Sequence, residues 1–410
     1  MPTLRHRCSC PTTPAGGAGR GRKLAGWCIV PILLAFGGLS AGLAAEIAPV
    51  KTLTPNGLTL VVLEQHDLPL VEIHALIKTG SAQDPPEKAG LANLTASLLD
   101  EGTTTRSSKQ LAEQIDFVGG SLEIDTGEDF TTASMRVLKK DVELGFTILS
   151  DILLHPTFPQ REFERARAQI LGEIASENDD PGRLAMKMFN QVVFQNHPYQ
   201  WPVIGLEDTV SRIELRDVQH FHAKEYLPNQ TILVVVGDIT VEQATALTRT
   251  HFGAWKQGPV PARSAKKPPV IDKKIVRLLD KDLTQSTIVL GHGGVSRTNP
   301  DFYAITVMNH ILGAGGFSSR LMDTIRDKQG LAYGITSHYD ARAMPGSFWV
   351  SLQTKTDTTN QAINAVVAEI KALREGPIGD QELADAKSFL IGSFPLRFDT
   401  TAKLARLLAQ

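Results

Sequence analysis

The sequence predicts an α+β fold made of two homologous copies of one large unit, each a mainly antiparallel sheet flanked by helices. Three observations carry that prediction. Both halves open on an alternating strand, a Gly/Pro-rich turn and a helix: "LVEIHALIKTGSAQDPPEKAGLANLTASLL" in the first, "QSTIVLGHGGVSRTNPDFYAITVMNHILGAGGFSSRL" in the second. Each continues into further strand patterns, "GGSLEIDTGEDFTTASMRV" and "GLAYGITSHYDARAMPGSFWVSLQT". The helical pair that follows aligns best, setting Glu162 against Glu382, Phe163 against Leu383 and Ala166 against Ala386, an offset of about 220 residues. A period that long is a duplicated domain and not a solenoid of short repeats.

The elements run as follows. Residues 1–45 read as a signal peptide: Arg5, Arg7, Arg20, Arg22 and Lys23, then the apolar run "LAGWCIVPILLAFGGLSAGLAA". Cleavage after Ala44 or Ala45 suits the small-residue rule; an uncleaved membrane anchor is the alternative, since the run approaches the ~20 residues that span a bilayer. Either reading places the body outside the cytoplasm, with a periplasmic location expected. Cys8, Cys10 and Cys28 all fall in this leader, so a cleaved chain has no thiol and its stability rests on burial. Taking those five basic residues from 42 Lys+Arg leaves 37 against 44 Asp+Glu. A mildly acidic body of that kind offers nucleic acid no electrostatic footprint.

The first copy spans 46–256 and closes with "VQHFHAKEYLPNQTILVVVGDIT", a helix and then an apolar strand. Residues 257–272, which include "QGPVPARSAKKPPV", form the linker on composition. The second copy, 273–410, stops at "TAKLARLLAQ" with nothing corresponding to the closing helix and strand. The expectation is a second domain truncated at its C-terminus.

The strand, the "GSAQDP" turn and the helix beginning "GLA" resemble the N-terminal domain of the pitrilysin or insulinase family of zinc peptidases, the inverzincins. Two longer stretches share the resemblance, "HPYQWPVIGLEDTVSRIELRDVQHFHAKEYLPNQTILVVVGDI" and "GAGGFSSRLMDTIRDKQGLAYGI". It runs from about Ile47 to the end of the chain and is closest to the two-domain, processing-peptidase-like sub-group. The resemblance implies a clamshell of which this chain forms half. In active members this helix carries H-x-x-E-H, two His on one helical face for Zn²⁺ and a Glu to activate water. Here the His positions fall on Asn93 and Ser97 and the Glu position on Ala96. Neutral amide and hydroxyl groups are poor Zn²⁺ ligands, and Ala96 cannot accept a proton. The family's third ligand position is Glu173, and a further acidic position seven residues earlier is Ala166. An amphipathic helix with Leu91, Leu94 and Leu98 buried and a polar opposite edge gives the same outcome: no metal chemistry on this helix.

In "GAGGFSSRLMDTIRDKQGLAYGI" the pattern is a glycine-rich loop, a helix capped by Ser318 or Ser319, a stop at Gly330 and a strand carrying Tyr333. The resemblance implies that Arg326 and Tyr333 support substrate and transition state. Arg is a fixed donor for peptide carbonyls or acidic side chains, and a Tyr O–H can donate to a developing oxyanion. The loop Gly313 to Gly316 lacks the lysine of a phosphate-binding loop. His220 and His222, two apart on a helix, point to different sides and make no metal pair. His74, His197 and His292 read as structural or solvent-facing.

The expectation is a chain that binds no cofactor and is inactive alone. It would act as the non-metal subunit of a heteromeric zinc metallopeptidase, with zinc in an H-x-x-E-H partner and unfolded peptides as substrates. The alternative is an inactive structural or peptide-binding protein of the same fold.

Overall fold

In the computed structural model, which describes residues 48–260 and 267–410, the first half is built on a six-stranded sheet. Its strands are β1 (Val50–Leu53), β2 (Thr59–Glu64), β3 (Leu70–Ile77), β4 (Ser121–Thr126), β5 (Thr131–Leu138) and β6 (Thr231–Gly237), in the order β1-β2-β6-β3-β5-β4. Only β2 and β6 pair in parallel; every other pair is antiparallel, with β3 matched to β5 from Leu70↔Leu138 to Ile77↔Thr131. The apolar run of β6 has no alternation because both its faces are covered. The leader residues with Cys8, Cys10 and Cys28, and the middle of the linker, lie outside the described residues.

Side-chain alternation divides the sheet's apolar residues between two cores. Val71, Ile73, Ala75 and Ile77 of β3 join Leu60, Val62, Leu233 and Val235 in the larger one. The helices of this half are α1 (Leu91–Ala96), α2 (Ser108–Phe117), α3 (Val142–Leu154), α4 (Gln160–Glu177), α5 (Pro181–Val193), α6 (Glu207–Val210), α7 (Leu215–Glu225) and α8 (Val241–Phe252). Leu94 and Leu98, with Phe146, Ile148, Leu149 and Ile152 of α3 and Phe163 and Ile170 of α4, complete that core. Local signals set the helix starts: Ser107 and Thr240 accept the amides of Gln110 and Gln243, and Asp180 accepts those of Gly182 and Arg183.

The second half repeats the plan around β7 (Gln285–Gly293), β8 (Ile335–Asp340) and β9 (Ser347–Lys355), ordered β7-β9-β8 and antiparallel throughout. Its helices are α9 (Phe302–Asn309), α10 (Thr359–Glu375), α11 (Asp380–Ser393) and α12 (Thr401–Ala409). The duplication read from sequence is visible in the geometry: β3, β4 and β5 correspond to β7, β8 and β9, and α4 to α11. Among the described residues no segment beside β7 takes the place that β6 holds beside β3.

The halves exchange helices. α5 packs on β7 of the second sheet, and α12, its counterpart in the repeat, packs on β3 and β6 of the first. There Ala405 and Ala409, flanked by Leu404 and Leu408, cover Val61, Leu63, Leu76, Val234 and Val236. Beside this second core Glu72 and His74 are buried on the same face.

A polar contact also joins the halves. The turn between β8 and β9 carries Arg342, whose guanidinium lies 4.8 Å from the Tyr199 ring centroid and 5.5 Å from that of Phe194. Its Nη1 is 2.9 Å from Glu128, while the Tyr199 hydroxyl donates to Asp129 at 2.6 Å and the Ala343 amide to Asp129 at 3.1 Å. Stacking plus ion pairing suits the planar guanidinium.

Candidate functional site

Helix α1 starts where Gly90 adopts φ +101°, a conformation that favours glycine, with a Cβ there falling 2.8 Å from the Ile204 carbonyl oxygen. Asp84 fastens this start, accepting the amides of Gly90 at 2.8 Å and Ala92 at 2.9 Å. Burial pushes the Asp84 carboxyl up to about 7, even though those amides favour its charged form. Leu91, Leu94 and Leu98 sit in the core as read from their spacing. Asn93 is half-buried, Ala96 buried and Ser97 exposed, with the Ser97 hydroxyl donating to the Leu94 carbonyl at 3.0 Å. α4 packs against α1 and carries Glu173, which accepts from Gln169 at 3.1 Å, and the buried Ala166.

These groups do not fit the zinc ion of active family members. Asn93 and Ser97 offer neutral oxygens, Ala96 offers nothing, and Glu173 is one carboxylate. Among the described residues no group of three or more His, Cys, Asp or Glu is placed to hold a metal ion.

The second set of residues lies in the other half. Gly316, with φ +63°, turns the glycine-rich loop, and Phe317 follows it, largely exposed. Arg326 lies on a π-helical segment, Met322–Lys328, and its guanidinium stands 5.0 Å from the Phe317 ring centroid and 5.7 Å from that of Tyr333. Its Nη1 also donates to Asp327 at 2.9 Å. Gly330 ends the helix at φ +63°, as its position in the sequence predicts. Arg320 fixes the loop from behind, its Nε and Nη2 donating to Glu382 at 2.7 and 2.6 Å.

Two local expectations are corrected. Tyr333 is not within a strand: it lies in the connection before β8, 92% exposed, because the chain leaves Gly330 in a left-handed turn and pairing begins only at Ile335. Neither Ser318 nor Ser319 caps the helix through its side chain; their hydroxyls donate backward to Gly315 and Gly316. The structure thus brings Arg326 and Tyr333 together, and it adds Phe317, which the sequence reading passed over as part of a glycine-rich loop. Among the described residues no hydrogen bond, ion pair or ring contact joins this cluster to Asn93, Ala96, Ser97 or Glu173.

The histidines behave as structural groups. His222 donates to the Leu153 carbonyl at 2.9 Å and stacks on Tyr226, and burial pushes its pKa down to about 4. His197 accepts the Tyr199 amide at 3.1 Å. His74 shares a 2.6 Å hydrogen bond with Ser134, and burial followed by the nearby Arg406 charge lowers it to about 4.

Fold and site together define a duplicated peptidase-type chain whose metal-binding helix face lacks its ligands. The chain belongs to the insulinase family, peptidase family M16: residues 60–206 match the model described as Insulinase (Peptidase family M16), and 212–390 match Peptidase M16 inactive domain. It is 30% identical to a Helicobacter pylori protein named Non-peptidase homolog YmxG, over 88% of this chain and 84% of that one. An uncharacterized zinc protease of Rickettsia felis is 29% identical, over 82% and 80%. The solved structure of a peptidase M16 inactive domain from Pseudomonas fluorescens superposes with a TM-score of 0.83 at 27% identity, covering 88% of this chain and 86% of the other. A protease from Helicobacter pylori gives a TM-score of 0.84 at 23% identity, with 88% of each chain covered, and shows the shared fold.

Proposed function

We propose that this chain is the non-metal subunit of a two-chain metallopeptidase acting outside the cytoplasm, holding unfolded peptides against the metal site of an H-x-x-E-H partner. The observation that supports it is the contrast between the two places: α1 presents no ligand set, while the half-buried Arg326 is held beside the exposed Tyr333. The partner's zinc would supply the activated water. In this chain Arg326 grips the peptide through carbonyls or an acidic side chain, and the Tyr333 hydroxyl donates to the oxyanion that forms on the scissile carbonyl.

The experiment is zinc content and peptide hydrolysis for the purified chain, alone and mixed with an H-x-x-E-H protein of the same organism. Activity is expected in the mixture only. In that complex Arg326→Ala and Tyr333→Phe are each expected to lower turnover by roughly 10²-fold, the scale of one lost oxyanion donor, with co-elution unchanged. Wild-type turnover in both variants would refute the shared site.

A second reading, a peptide-binding protein without any proteolytic role, is favoured by the similarity to the Helicobacter pylori protein named Non-peptidase homolog YmxG. An inactive mixture that still binds extended peptides would select it.

A further inference from the structure

Beyond the paired Arg and Tyr, the first half holds a cavity of about 190 Å³ between the C-terminal turn of α4, the flank of α5 and residues 200–205. It lies close to the degenerate metal helix, since Gly205 at its edge packs against Gly90, the residue from which α1 starts. Ile174 and Leu184 give it apolar walls, and Asn178, Lys187, Asn190 and Gln200 surround them. Among the described residues none of those last four side chains makes a hydrogen bond or ion pair within the protein, so four half-buried polar groups line one cavity without being tied to other protein groups. The charges do not cancel either. Arg183 is paired with Glu177 across the cavity wall, which leaves the Lys187 ammonium, half-buried, without a counter-charge.

We infer that this cavity binds a carboxylate attached to an apolar side chain, with the C-terminal residue of a peptide as its ligand. The volume is below the ~300–1,000 Å³ of a site for a drug-sized molecule and suits a single residue. One uncompensated ammonium matches one carboxylate, the apolar walls match a Leu-like side chain, and the side-chain amides both donate and accept, as a terminal peptide group requires. As a statement about substrate, this rests on the peptide-holding role proposed above: the subunit would anchor peptides by their free C-termini.

The test uses the intact protein and three probes: a pentapeptide ending in leucine as the free acid, the same peptide as the C-terminal amide, and N-acetyl-L-leucine. Binding is read by calorimetry. The free acid should bind at least tenfold more tightly than the amide, and N-acetyl-L-leucine should compete with it. Lys187→Met should remove the preference for the acid, and Leu184→Trp, which fills the cavity, should block all three. Equal binding of acid and amide, or an acid preference that survives Lys187→Met, overturns the inference. If Arg326→Ala then still weakens peptide binding, the peptide-holding role stands without the anchor. Competition by N-acetyl-L-leucine that depends on Lys187, with no effect of Arg326→Ala on peptide binding, supports the cavity and refutes the role of Arg326. A pentapeptide that fails to bind while N-acetyl-L-leucine binds through Lys187 assigns the site to free amino-acid derivatives instead and overturns the C-terminal anchor.

Discussion

Lowering the pH should unfold this protein through two buried histidines, and the structure sets the size of the effect. His74 lies under α12 with its Nε2 unpartnered among the described residues, and His222 is wedged between Phe158 and Tyr226. Each has its pKa lowered from 6.5 to about 4 by burial. The unfolded chain takes up a proton near 6.5 and the native chain resists it until about 4, so unfolding binds protons in that window. The stabilisation is therefore complete above 6.5, declines as pH falls and is gone near 4. At about 1.4 kcal/mol per pH unit, each histidine is worth about 3 kcal/mol. Asp84 works in the opposite sense, because its carboxyl is raised to about 7 and its native-state charge costs stability as pH rises. The net slope of these three groups between pH 4 and 6.5 is then that of one histidine. Urea unfolding followed by circular dichroism at pH 7.5 and 4.5 isolates the histidine part. His74→Gln is expected to lose about 2–3 kcal/mol less than wild type over that interval. An unchanged pH dependence in that variant would show that the buried imidazole is not what acid attacks.

Two further outcomes follow from the site and the junction. Restoring the motif as Asn93→His, Ala96→Glu and Ser97→His should give less than one zinc per chain by metal analysis and negligible hydrolysis, because the buried Ala96 site must accept a carboxylate. Arg342→Ala removes a guanidinium stacked on Tyr199 and ion-paired with Glu128 across the two halves. It should cost about 2–4 kcal/mol in urea unfolding and loosen hydrogen-exchange protection at Ala343 and Met344, whose amides donate to Asp129 and Tyr199; protection equal to wild type there would argue that the helix exchange alone joins the halves.

Much of the architecture was legible because it is periodic. Strand alternation, the helix stop at Gly330 and the repeat offset all leave local marks, and β3 to β5 and α3 to α4 fall where those marks place them. The degenerate helix face was legible by another route: spacing marks Leu91, Leu94 and Leu98 as its buried stripe, and the family resemblance sets the H-x-x-E-H positions on Asn93, Ala96 and Ser97. What is set by contact between distant segments left no such mark. Nothing in "TAKLARLLAQ" says that its apolar side will cover a sheet finished by residue 237, and nothing in "DARAMPGS" marks Arg342 as the residue between Tyr199 and Glu128. Tyr333 was misplaced by two residues because "LAYGI" has strand-like composition, while pairing waits for Ile335. Lys187 and its amide neighbours come from the end of α4, α5 and the following loop, and only the folded chain shows that they line one cavity.

The exchange of α5 and α12 has a cost during synthesis. The first half leaves the ribosome with its sheet complete but with Val61, Leu63, Leu76, Val234 and Val236 bare, and the helix that shields them is encoded at 401–409. Until then the nascent chain carries a sticky apolar surface that a holding chaperone can occupy. Export of an unfolded chain before folding begins would avoid that interval altogether, and it would make the order of folding a matter of the destination compartment and not of translation.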